Sequence, residues 1–119
     1  MTLDELIEAI SVRTSKSRQS IEVYHVASGL ALGDALDAIA RAVARRYAAG
    51  SLGFAVADTI MNDVFAYASM KTIVPPFMFS VFRAFDAGEF YPDAIRAPSP
   101  EERFTRPLIA EILADDKTA

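Results

Sequence analysis

The chain has no cysteine, no tryptophan, one histidine and only five glycines in 119 residues. Without cysteine there is no disulfide framework, no thiolate nucleophile and no Cys-ligated zinc or iron–sulfur cluster, a composition that suits a reducing interior. One histidine is too few for the paired Glu-x-x-His ligands of a di-metal bundle, although Glu22 and His25 have that spacing once. The phosphate-cradling patterns G-x-G-x-x-G and G-x-x-x-x-G-K-[ST] do not occur, and no nucleophile elbow singles out a serine. Long apolar runs are missing too. The most apolar region, residues 52–85, is interrupted by Asp58, Asn62, Asp63, Lys71 and Arg83, so no membrane span is expected. The first residues, MTLDELIEAI, carry acids where a secretory signal has a basic region, and the expectation is a soluble cytoplasmic protein.

What remains is rich in helix formers. Twenty-one alanines accompany many Leu, Arg and Glu residues, which lose little side-chain entropy in a helix. The length suits one core, and the reading is a single α-helical domain over 1–119, an all-α compact bundle of five or six helices. The net charge of −4 is unevenly placed: from Asp86 onward there are eight acids against four bases, while residues 1–85 are balanced. An acidic chain without clustered cations interleaved with aromatics does not suit nucleic acid. The two basic clusters, VRTSKSR (12–18) and RAVARR (41–46), read as solvated turn or helix surface.

Periodicity places the helices. Thr2 and Glu5 have capping-box spacing before a helix over 3–13. A second helix is expected over 17–32, with Ile21, Tyr24, His25 and Ser28 on one face. Gly33 and Asp34 open a third, to about 49, in which Asp34 caps the free amides and Asp37 stands four residues before Arg41. Gly50 and Ser51 imply a tight turn into an antiparallel neighbour. That neighbour, 52–70, has an apolar arc of about 220° and is therefore expected to be central. Its remaining strip, including Ala55, Asp58, Asn62 and Ala66, predicts a close helix crossing or a polar seam. The prolines of TIVPPF start a fifth helix, 76–87, ending at Gly88. Ser99 and Glu102 mark another start, and Thr105 with Pro107 a capped terminal helix to about 114.

Two constellations stand out. In FDAGEFYPD (85–93), Asp86 and Glu89 lie at the negative end of the fifth helix, where its dipole disfavours them unless Arg83, Arg96 or Arg103 neutralises them. Phe79 falls off the apolar line of that helix, so Phe79, Phe90 and Tyr91 with Asp86, Glu89 and Asp93 form a candidate surface for a basic protein partner. The corresponding function is a non-catalytic protein-binding module or inhibitor using residues 79–103. In composition it resembles small acidic helical proteins that neutralise a toxin, as immunity proteins and antitoxins do. The alternative from another class is an enzyme with a small-molecule or metal pocket around Tyr24, His25, Asp58 and Asn62, with Asp58 and Asn62 bonded to arginines or helix-end amides. A third reading is a homodimer that covers its own exposed patch. The primary reading assigns no catalytic residue, metal or cofactor.

Overall fold

The computed structural model describes residues 1–11, 17–89 and 99–116. Phe90, Tyr91, Asp93 and Arg96 lie outside these residues. Among the described residues six α-helices follow in order: α1 (Leu3–Ser11), α2 (Ser17–Ser28), α3 (Leu32–Ala48), α4 (Phe54–Lys71), α5 (Pro76–Ala87) and α6 (Arg106–Asp115). A π-helical turn, Glu101–Thr105, runs directly into α6. The architecture is the all-α bundle expected, with no strand among the described residues.

The core explains the arrangement. Leu6, Leu36, Ile39, Ile60, Met61 and Phe85, contributed by four different helices, are wholly buried. α4 packs against α1, α2, α3 and α5, the central place its wide apolar arc predicts. Its polar strip, however, is not a seam: Ala55, Asn62, Ala66 and Ser69 are exposed, and only the part near Asp58 and Thr59 is half-covered. α4 is central while keeping one solvent-facing edge.

Several local devices match the expected chemistry. Thr2 and Glu5 form a reciprocal capping box, each backbone N–H meeting the other's side chain at 3.1 Å. Gly29 and Gly50 adopt positive φ, 70° and 80°, and so turn the chain after α2 and α3. Ser99 accepts the Glu102 N–H at 3.2 Å.

Other caps differ from expectation. α3 starts at Leu32, earlier than predicted, and Asp34 sits inside its first turn without capping it. Ser51 does not cap α4, which starts after Gly53; the Ser51 hydroxyl donates to the Arg46 carbonyl. Thr105 does not cap α6 either. Its buried hydroxyl donates to the Ala84 carbonyl at 2.6 Å, fastening the π-helical turn to α5. Gly88 ends α5 with φ −79°, so left-handed geometry is not the reason for glycine. A Cβ there would run into the Thr105 hydroxyl and the Phe54 ring, so the position demands a residue without one.

The RAVARR cluster is not simply solvated surface. Arg41 makes a two-pronged pair with Asp116, at 2.7 and 3.4 Å, whose side chain is only 6% exposed. The Arg41 guanidinium also lies 4.6 Å from the centre of the Phe77 ring, and Arg46 pairs with Asp4. Spacing within α3 cannot reveal partners that arrive from α1, α5 and the end of α6.

Candidate functional site

α4 and α5 run antiparallel, which two contacts show directly. Phe65 of α4 stacks on Phe82 of α5 with centroids 4.0 Å apart and rings 10° from parallel. Two turns towards the start of α4, the Glu89 side chain, just past the end of α5, is within hydrogen-bonding reach of the Asp58 carboxyl. The separation is seven residues in both segments, Asp58 to Phe65 within α4 and Phe82 of α5 to Glu89 in the turn after it, so both contacts fall on one edge of the hairpin. The edge is aromatic at one end and acidic at the other.

At the aromatic end Phe79 completes a trio, with centroids 6.0 Å from Phe65 and 6.2 Å from Phe82. Phe65 and Phe82 are half-buried, whereas Phe79 keeps 38% of its surface in water. Arg83 lies 5.8 Å from the centre of the Phe79 ring. Its charge is thus directed to an aromatic face.

At the acidic end Asp58 has a buried Oδ1 with no hydrogen-bond partner among the described residues. Desolvation is the main reason its pKa is pushed up to about 7, and the Glu89 and Asp86 carboxylates add to it. The arginine or amide partner expected for Asp58 is replaced by two acids. Asp86 and Glu89 themselves are exposed. Of the three arginines that could compensate them, Arg83 is on Phe79, Arg103 lies 5.4 Å from the centre of the Phe104 ring, and Arg96 is outside the described residues. No ion pair of Asp86 or Glu89 is found among the described residues.

Sequence reasoning singles out Phe79, Asp86 and Glu89 but leaves Phe65, Phe82 and Asp58 out of this surface. Phe65 and Phe82 belong to apolar arcs, and Asp58 falls by spacing into the set with Asn62, Tyr24 and His25. The usable signal is the matched seven-residue spacing on the two arms of a helical hairpin.

The other candidate set is distributed differently. Ser17 donates to Asp63 at 3.0 Å and Glu22 pairs with Lys71 at 3.8 Å, so α2 crosses the C-terminal half of α4. Buried Tyr24 and half-buried His25 lie further along α2, beyond that pair. Asp58 precedes Lys71 by thirteen residues, roughly 20 Å along the helix axis. His25 and Asp58 therefore lie towards opposite ends of α4, and Asn62 is exposed between them. None of the four described cavities is lined by any of these four residues. One of them, about 360 Å³, is an open groove between α5 and α6 lined by Arg83, Ala84, Ala87, Leu108, Glu111 and Ile112, among others. No grouping of three or more His, Asp or Glu residues able to hold a metal occurs among the described residues. Nor is any described helix long and apolar enough to cross a membrane.

Comparison with models of known protein families, with curated proteins and with solved structures finds no match for the chain.

Proposed function

We propose that the chain is a non-catalytic protein-binding module or inhibitor that holds a basic partner on the aromatic–acidic edge of α4 and α5. The observation that carries this reading is an acid group in which neither Asp86 nor Glu89 has an ion pair among the described residues. Glu89 and Asp86 both act on Asp58, while two of the candidate cations, Arg83 and Arg103, stand over aromatic rings. A partner that brings Lys or Arg to this end supplies the missing counter-charge, and the exposed Phe79 supplies an apolar anchor two turns away.

The proposal carries a protonation signature. A cation beside Asp58 favours its ionised form, so binding releases a proton and affinity rises as pH increases through about 7. The test is capture of partners by wild type and by the charge-reversed pair Asp86→Lys, Glu89→Lys, at low and high salt. The pair replaces the carboxylates beside Asp58 with cations, so folding is retained or improved. We expect loss of the captured partner and loss of its salt dependence. The same partner retained with the same salt dependence would sink the reading.

A further inference from the structure

A second apolar surface lies away from that edge. On α2, Ile21 and Tyr24 face the core, but Val23, Val26 and Ala27 form an outward stripe at i, i+3 and i+4. Val23 is 51% and Val26 79% exposed, values that core-facing positions do not show. The Glu22–Lys71 pair joins this stripe to the end of α4, where Met70 and Ile73 are 61% and 91% exposed. Arg18 reaches across to the Met70 sulfur. Exposed apolar side chains thus lie on both segments that the ion pair joins.

The charges around the two surfaces differ in a way that selects their occupants. The α4–α5 edge is acidic and repels a copy of itself. Among the described residues the α2 surface carries Arg18 and Lys71 against Glu22 and Asp63, two of each sign. A two-fold axis through such a patch brings each copy's cations to the other's carboxylates, so like charges need not meet. We propose that the outward stripe of α2, with Met70 and Ile73, is the interface of an isologous homodimer. The two readings rest on different residues and stand independently.

Sedimentation velocity over a wide concentration range tests this with the whole chain, whose monomer is 12.9 kDa. Wild type is expected to shift towards twice that mass, and Val26→Glu to weaken dimerisation by about a hundredfold or more. Val26 is so exposed that the substitution leaves the fold intact, which circular dichroism checks. Glu22→Lys makes the patch predominantly cationic and is expected to weaken dimerisation about tenfold, recovering at high salt. Inverting all four signs together, with Arg18→Glu, Glu22→Lys, Asp63→Lys and Lys71→Glu, preserves every product of these charges when both partners carry the changes. Self-association of this quadruple variant should therefore return close to wild type. A wild type that stays monomeric at high concentration overturns the proposal. So does a Val26→Glu variant that dimerises normally, or a quadruple variant no better than Glu22→Lys.

Discussion

At Asp58, a buried carboxyl oxygen lies near Asp86 of α5 and Glu89 just past its end, with no cation paired to it among the described residues, so its proton is linked to folding. The unfolded carboxyl titrates near 4, and the folded one at about 7. Between those values the native state retains a proton that the unfolded state has released. Stability therefore falls as pH rises from about 4 through about 7. Because the residue is partly exposed, the loss is about 1–2 kcal/mol after discounting for solvent screening, well under what the full shift implies. Asp58→Asn removes the titration. Its urea midpoint should vary less than that of wild type between pH 5 and 8, and should exceed it at pH 8. Equal slopes for the two proteins would show that Asp58 does not carry the effect. Gly88 presents the opposite constraint, steric where Asp58 is electrostatic. Gly88→Ala drives a methyl into Thr105 and Phe54, and we expect about 2 kcal/mol of destabilisation despite the better helix propensity of alanine. A midpoint equal to or above wild type would mean that the neighbours move aside freely.

Individual helices are held by side chains from other helices more than by their own ends. Asp37 of α3 accepts the Met78 N–H at 3.1 Å and so caps the start of α5, which has no capping side chain of its own. Burial raises the pKa of Asp37, while the Met78 bond and the nearby Arg41 oppose the rise. Asp37→Ala should cost about 1 kcal/mol, and Asp37→Asn, which keeps an acceptor, clearly less in the same denaturation assay. Asp116 does similar work at the end of α6. Arg41→Met strips its two-pronged partner and leaves a nearly buried carboxylate with Arg45 at 3.8 Å, a loss of about 2–4 kcal/mol. The double variant Arg41→Met, Asp116→Leu should recover most of it, and a strictly additive cycle would deny the coupling. These ties also mark the limit of the sequence. Helix positions, the central place of α4 and the Thr2–Glu5 box follow from short-range periodicity and spacing. Asp37 to Met78 and Arg41 to Asp116 are separated by 41 and 75 residues, and no local pattern records such pairs. The acid group at Asp58 is hidden for the same reason, since it exists only when α4 and α5 align.

Across the molecule, packing is graded. α4 touches four other helices and buries Ala57, Ile60, Met61, Val64, Tyr67 and Ala68, whereas α2 buries only Ile21 and Tyr24. Local opening follows such gradients, because the free energy of exposing an amide tracks the apolar surface that the opening uncovers. Hydrogen exchange should accordingly be slowest in the middle of α4, near Ile60 to Val64, and faster by at least a few tenfold in α2. A second copy on the outward stripe of α2 changes that order selectively. Binding to the native state stabilises by mass action, so α2 protection should rise with protein concentration while the middle of α4, limited by global opening, rises in proportion to total stability alone. The α4–α5 edge provides the internal control. Its exposed segment around Asp86 to Glu89 should show no added local protection on self-association, and should gain it only when a basic partner is present. If instead α2 were as protected as α4 in dilute solution, its two buried side chains would be anchoring it far more strongly than their burial allows. The outward stripe would then need some cover other than a second copy.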